Sequence, residues 1–233
     1  MEGAREVGRA LEAGVRFSAV LVGDDASASQ LELAAAVAAS GTPSYRVGDA
    51  AFAKVSVRRS PAQILGIAHS PSFSLEDRVL PRNPLVLIAD RIEKPGNLGA
   101  MIRTADGAGA DAVIACDPAT DLVNPNIIRA SQGSVFASPA AAATTEAVKA
   151  WLVNQEIRTV AASSASSANL WETDLTGPLA IVIGSEHAGI SEPWRDSPVI
   201  SIPMQGLNDS LNASVAAALL LYEARRQRRL VQP

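Results

Sequence analysis

Apolar and polar positions along the chain fall into blocks that switch between helical and strand periods. Glu2 to Ala13 places Val7, Ala10 and Leu11 on one helical face and stops at Gly14. Phe17 to Val22 (Phe-Ser-Ala-Val-Leu-Val) reads as a strand. Gln30 to Ala39 reads as a helix, with Ser27 or Ser29 as its N-cap and Gly41 just past its end. Short strands near Tyr45-Arg46-Val47 and over Ile64 to Ala68 complete a small α/β layer. From Ser70 to Pro84 no period persists, and Pro71, Pro81 and Pro84 interrupt the chain. Residues 71–84 therefore read as a linker between a first domain, 1–70, and a second, 85–233.

Beyond the linker the alternation restarts. Leu85-Val86-Leu87-Ile88-Ala89 is the continuous apolar run of a parallel strand buried on both faces. A helix over about Leu98 to Ala108 follows, then a strand at Ala112 to Ala115. Thr145 to Val153 reads as a helix, and Thr159 to Ala162 and Leu179 to Ile183 as strands. Val199 to Ile202 is a short strand and Ala213 to Arg229 a long closing helix. Strands spaced by helices predict a parallel sheet with helices on both faces.

Composition narrows the class. The 233 residues are 48% hydrophobic and 19% charged, enough apolar content for a packed core and too little charge for extended disorder. Aromatics are only 4%, so Ala, Val, Ile and Leu carry the core, which suits α/β packing. The single cysteine, Cys116, leaves no intrachain disulfide and no cysteine-based zinc site, so a cytoplasmic setting without metal is expected. The opening Met1-Glu2-Gly3-Ala4-Arg5-Glu6 has no apolar signal core, and no apolar run approaches about 18 residues, so no membrane association is expected. A net charge of −4 and a pI near 5.3 speak against a uniformly basic nucleic-acid domain. Local patches matter more: Lys54, Arg58 and Arg59 form one, and Arg225, Arg226, Arg228 and Arg229 another. The second falls in the last turns of the closing helix, where positive charge also favours the helix dipole.

Three segments carry candidate chemistry. Asp90 to Thr104 (Asp-Arg-Ile-Glu-Lys-Pro-Gly-Asn-Leu-Gly-Ala-Met-Ile-Arg-Thr) follows a buried strand and opens a helix, where open α/β sheets place ligands. Asn97 lies in the turn between Gly96 and Gly99, and Arg103 one helical turn beyond Gly99; a plain loop with Asn97 as N-cap and Arg103 as surface charge fits equally well. In Ile181 to Trp194 a strand runs into a loop bounded by Gly184 and Gly189, then into Ser191 as N-cap with Pro193 in the first turn. Glu186 is either a carboxylate beside a ligand or a solvated side chain, and His187 reads as an ordinary loop residue. Ile200 to Val215 crowds polar residues before an apolar helix, as a functional loop would or as Ser210 or Asn212 would in capping that helix. The G-x-G-x-x-G, G-x-x-x-x-G-K-[ST] and G-x-S-x-G patterns are absent.

Together and in this order, the three segments resemble the motifs of the SpoU (TrmH) family of RNA ribose 2′-O-methyltransferases, in the SPOUT superfamily. The first motif is matched from Glu93 to Arg103, the second from Ile183 to Gly189 and the third from Ile202 to Asn212. Arg129 to Phe136 (Arg-Ala-Ser-Gln-Gly-Ser-Val-Phe) is similar to the stretch the family carries between its first two motifs. The resemblance spans roughly residues 84 to 229. The N-terminal segment resembles the ribosomal-protein-L30-like (L30e-like) substrate-binding domain of many members, on its Glu2-Gly3 start and its Gln63-Ile64-Leu65-Gly66-Ile67-Ala68 end. Many members reach that start only after a leader, so an RNA-binding extension ahead of it is an expectation.

The resemblance implies a parallel-sheet α/β fold with a C-terminal trefoil knot, S-adenosylmethionine as cofactor, and a homodimer with active sites at its interface. It implies that Ile183, Gly184, Ile202 and Leu211 hold the cofactor largely through backbone groups while Met204 and Leu207 line its pocket. Asn97, Arg103, Glu186, Ser210 and Asn212 are the implied catalytic cluster. Arg103 either takes the hydroxyl proton or clamps an RNA phosphate, and the persistent charge of a guanidinium favours the clamp. The implied substrate is structured RNA, 23S ribosomal RNA ahead of transfer RNA on account of the L30-like domain. A non-catalytic RNA-binding protein of the same fold is the other class of reading; loss of Asn97, Arg103 or Asn212 would signal it, and all three are present. Arg58 and Arg59, with Arg103 and Arg129, are the residues expected to hold RNA.

Overall fold

Two sheets organise the chain in the computed structural model, which describes residues 1–231. The first sheet joins β1 (Phe17–Gly23), β2 (Ser44–Val47) and β3 (Ile64–Ala68) in the order β2-β1-β3, with β2 parallel and β3 antiparallel to β1. Helices α1 (Ala4–Glu12) and α2 (Ala28–Ala38) close a small core around Val7, Val20, Val37 and Ile64. Ser27 is the N-cap of α2, in a reciprocal capping box with Gln30.

Helix α1 starts at Ala4 rather than Glu2, and Glu2 is the reason. Its carboxylate is buried and accepts hydrogen bonds from the Ser56 hydroxyl at 2.7 Å and from the Val57 and Ala62 amides at 3.0 Å each. Burial alone would raise its pKa; these donors outweigh burial and hold it below the usual carboxylate value. The N-terminus thereby clasps the 56–62 loop. A short helix, α3 (Asp49–Val55), escapes the sequence pattern because only Phe52 among its residues is buried, so no apolar stripe forms.

The second sheet is parallel throughout. Its strands are β4 (Leu85–Asp90), β5 (Ala112–Cys116), β6 (Ala140–Ala143), β7 (Arg158–Ala162), β8 (Leu179–Ile183) and β9 (Val199–Ile200), in the order β6-β5-β4-β8-β7-β9. Its helices are α4 (Pro95–Ala108), α5 (Pro125–Ala130), α6 (Ser134–Ala137), α7 (Thr145–Asn154) and α8 (Ala213–Val231). Leu85, Leu87 and Ala89 share a core with α4, α5 and α8, while Val86 and Ile88 pack with α7 and Trp194 on the other face. Apolar cover on both faces explains why these strands are apolar at every position. Burial also pushes the Cys116 thiol well above its usual pKa, so it stays protonated and inert.

The 71–84 stretch is fastened rather than loose. Leu75 is buried, and the Phe73 carbonyl accepts from the Ala142 amide at 2.9 Å. Arg228 of α8, buried, donates to the carbonyls of Asn83 and Pro84 at 2.9 Å each and to that of Gly177. The Arg225–Arg229 cluster is therefore not a single patch: Arg228 is a structural pin and Arg226 pairs with Glu223 at 2.7 Å.

Arg58 is likewise a structural residue. Its guanidinium bonds the Glu2 carbonyl at 3.0 Å and the Glu6 carboxylate at 3.1 Å, so this arginine, expected in an RNA-holding patch, is engaged by the fold. The two sheets meet where α1 packs on α6: Arg9 donates to the Gln132 carbonyl at 3.1 Å. Gly133, at φ +83, sits so close beneath α1 that a side chain there would meet the Glu6 backbone at 3.1 Å. Among the described residues no helix is long and apolar enough to cross a membrane.

Candidate active site

Three of the five candidate catalytic side chains converge at the C-terminal end of β8. Helix α4 opens with Lys94 as N-cap and Pro95 in the first turn, so Asn97 is not the cap; it stands inside the first turn, and its side chain is turned to the cluster instead. The Asn97 amide Nδ2 donates to Glu186 Oε1 at 3.0 Å, and Asn212 Nδ2 donates to the same oxygen and to Asn97 Oδ1 at 3.2 Å. Lys94 pairs with Glu186 Oε2. That lysine bond, followed by the Asn97 amide, holds the Glu186 carboxyl below its usual pKa, so it is ionised at neutral pH and is a weak base.

Asn212 fills both of the roles open to it. Its Oδ1 accepts from the Ser214 amide at 3.0 Å, capping α8, while its Nδ2 reaches the cluster. One end of the side chain is fixed by the helix and the other is aimed by it.

The loop that carries Glu186 is shaped by its glycines. Ser185 and Gly189 exchange backbone hydrogen bonds of 3.0 Å, and Gly189 adopts φ +67. A side chain at Gly184 would collide with the returning Gly189 backbone, so only glycine allows the loop to close. Asp90, fully buried at the end of β4, then takes the Ser191 amide at 2.6 Å and its hydroxyl at 3.0 Å. Ser191 precedes a short 3-10 turn, but its hydroxyl serves Asp90 and not that turn.

Beside the cluster lies a cavity of about 180 Å3 between the ends of β7 and β8 and the 200–213 segment. Ile183, Ile200, Ile202 and Leu211 supply apolar walls, and Ser163, Ser164 and Ser185 supply hydroxyls. Its charged lining residues are Glu186 and Asp209, with no lysine or arginine among them. Of the residues expected to hold a cofactor, Ile183, Gly184, Ile202, Met204 and Leu211 line this cavity; Leu207 does not, and stands wholly in solvent.

The remaining candidates are placed differently. Ser210 lines the cavity but its hydroxyl is engaged by Asp209 at 3.0 Å. Arg103 is exposed on α4, about 9 Å of helix rise beyond Asn97 and on another face, and meets none of the cluster within the chain. Lys94 and Asp90, in contrast, belong to the site's construction and were not singled out by the sequence. Both lie in the first motif, where only their surroundings reveal them.

A cleft-and-cluster at the C-terminal edge of a parallel sheet defines a ligand-binding α/β protein. The SpoU rRNA methylase family model matches residues 84–222 and that of the MRM3-like substrate-binding domain residues 1–66, and the chain belongs to the SpoU family. It is 34% identical over 177 residues to a 23S rRNA (uridine(2479)-2'-O)-methyltransferase of Streptomyces viridochromogenes, covering 72% of this chain and 62% of that one. It is 32% identical over 187 residues to the 23S rRNA (guanosine(2553)-2'-O)-methyltransferase RlmP of Bacillus subtilis, covering 79% and 73%. Among solved structures, the SpoU methyltransferase AviRb from Streptomyces viridochromogenes, in complex with the cofactor AdoMet, superposes with a TM-score of 0.89 at 30% identity, covering 100% of this chain and 90% of that one.

Proposed function

We propose that this chain transfers a methyl group from S-adenosylmethionine to a ribose 2′-hydroxyl of 23S ribosomal RNA, with S-adenosylhomocysteine as the leaving group and the hydroxyl proton released to solvent. The observation that carries this reading is the cavity itself: apolar walls, two carboxylates and no cation, opening beside the Asn97–Glu186–Asn212 cluster. Such a lining suits a cofactor that is cationic at sulfur and carries no phosphate. The residues present fit it: Ile183, Gly184, Ile202, Met204 and Leu211 would hold it, with Asp209, which forms no ion pair among the described residues, supplying negative charge beside the Lys94-paired Glu186. When bound, it supplies an electrophilic methyl group.

The chain's own contribution is placement. Glu186, kept ionised, fixes the Asn97 and Asn212 amides against each other, so the groups that meet the ribose are preorganised. Asp90 holds the far side of the same loop through Ser191. Arg103, free on α4, clamps an RNA phosphate, a task suited to a guanidinium that remains charged. Val215, Leu219 and Tyr222 leave an apolar line on α8 at 46%, 38% and 53% exposure, and a second copy of the chain covers it in a symmetric dimer.

Incubation with methyl-labelled cofactor and 23S ribosomal RNA should place label on a ribose 2′-oxygen. Asn97→Ala should cut turnover on the order of 100-fold, the cost of lost alignment, while cofactor affinity stays near wild type by calorimetry. Label appearing on a base, or none on any RNA, defeats the assignment. Light scattering that finds a fully active 24.1 kDa monomer defeats the dimer.

A further inference from the structure

Where the two sheets meet, the surface opens into two adjoining hollows. One, of about 370 Å3, is walled by Val57, Leu65 and Ile67 of the first sheet's region and by Val123, Ile128 and Phe136 of the second's. The other, of about 1060 Å3, is lined by Arg5, Arg58, Arg59 and Arg129. Val57, Arg58 and Arg129 border both, so an apolar hollow and a cationic cleft share one wall.

The acids here are already engaged. Glu2 and Glu6 line these hollows, and both are buried. Glu2 is taken up by Ser56, Val57 and Ala62, and Glu6 by Arg58. Arg5, Arg59 and Arg129 are exposed and form no ion pair among the described residues; Arg129 donates only to the neutral Asn126 Oδ1, at 2.9 Å. Three free guanidinium groups around one cleft give a local positive potential in a chain whose net charge is −4. On the apolar side, Val57 and Ile67 remain 59% and 48% exposed, a rim that a planar apolar ligand would cover. His69 and Ser70 also line this hollow, His69 Nε2 lying 3.2 Å from the Ser18 hydroxyl and the Ser70 hydroxyl donating to the Pro71 carbonyl at 3.3 Å.

An unstacked nucleotide combines these two demands, since its base is planar and apolar on its faces and phosphates flank it on both sides. A duplex offers the phosphates but not the free base. We propose that this junction is an RNA subsite separate from the methyl-transfer cavity, in which the apolar hollow takes one unstacked base and the arginine cleft takes the phosphates beside it. The subsite rests on the RNA methyltransferase reading and extends it to how the substrate is gripped. It is mechanically tied to the catalytic cluster. Arg129 lies on α5, which approaches α4 at Gly99, where a side chain would stand 2.6 Å from the Ala130 Cβ. Gly99 is in the same first turns as Asn97, so a strand held by Arg129 is held in register with the site.

The test uses the full chain, a short single-stranded oligoribonucleotide carrying one 2-aminopurine, and the same strand annealed to its complement. Binding of the single strand should raise 2-aminopurine fluorescence, and the duplex should bind more weakly. Combining Arg5→Ala, Arg59→Ala and Arg129→Ala should weaken binding tenfold or more and flatten the log–log salt dependence by about three, one for each lost contact. Ile67→Trp fills the hollow without changing charge and should remove the fluorescence rise while leaving the salt slope; Val57→Trp, on a loop, makes the same test should the strand variant misfold. Cofactor affinity by calorimetry should be unchanged in all of them. Wild-type affinity and slope in the triple variant, a fluorescence rise that survives both tryptophans, equal binding of the duplex, or equal competition by a poly-glutamate peptide overturns the subsite while methyl transfer stands. A wild-type chain that methylates no RNA overturns the activity, and the oligonucleotide results then decide the subsite by themselves.

Discussion

The cavity beside Glu186 and the cleft beside Arg59 are built from opposite electrostatic stock. The first has two carboxylates and no cation in its lining; the second has four arginines, and its one carboxylate, Glu6, is turned inward and paired with Arg58. A net charge of −4 describes neither. The difference shows how a mildly acidic chain can serve a cationic cofactor and a polyanionic substrate at once: carboxylates line the cavity whose ligand is positive, and the acid beside the cleft whose ligand is negative is buried and paired.

The sharpest test of that division lies within the cleft. Arg58 and Arg59 are neighbours in sequence, but only Arg58 neutralises a buried acid. Arg58→Ala leaves Glu6 buried without its partner and should cost about 3 kcal/mol in denaturant unfolding, whereas Arg59→Ala should change stability by no more than about 0.5 kcal/mol. Equal losses would dissolve the distinction. Glu2→Gln comes next, at about 2 kcal/mol near neutral pH, because the amide cannot accept all three of the bonds now made to the carboxylate. The Glu2 pKa is depressed in the fold, so its contribution is complete above its ordinary value of 4.5 and fades as pH falls through the lower folded value. Unfolding curves of wild type and variant should therefore converge as the pH falls below 4.5. A gap that widens there would mean the carboxylate is not what clasps the loop. The smallest effect belongs to the cavity: Ser164→Lys introduces a cation into a lining that has none and should weaken the cofactor about tenfold, roughly 1.4 kcal/mol, with RNA affinity retained. Unchanged cofactor affinity would remove charge as the reason for the cavity's selectivity.

Much of this architecture could be read from the residues. The runs at Leu85–Ala89 and Leu179–Ile183 announce strands buried on both faces, and they do form the central pair of the second sheet. The elements that went unseen have physical reasons for silence. β6 is four alanines, with no alternation to detect, and α5 and α6 are too short to show a helical period. At the site, Asn97, Glu186 and Asn212 each fit a plain loop or cap role when read alone, and it is the resemblance of the three ordered segments to the family's motifs that picks them out. Lys94 looked like any solvated charge, and its partner lies 92 positions away. Asp90 read only as the first residue of the segment after the strand, since nothing local signals that Ser191 returns to it. Arg58 could not be told from Arg59, because burial of Glu6 is a property of the assembled fold.

The strand order has a consequence for the order in which the protein comes into being. The first sheet draws on residues 17–68 and can close while most of the chain is still unsynthesised. The second cannot: β4 is central, yet its neighbour β8 leaves the ribosome about 90 residues later, and Arg228 follows later still to fasten Asn83, Pro84 and Gly177. Throughout that interval one edge of β4 is an open template for mispairing. Slowed translation between β6 and β8 should thus be more hazardous to this protein than the same pause within its first sheet, and chaperone demand should peak in that window.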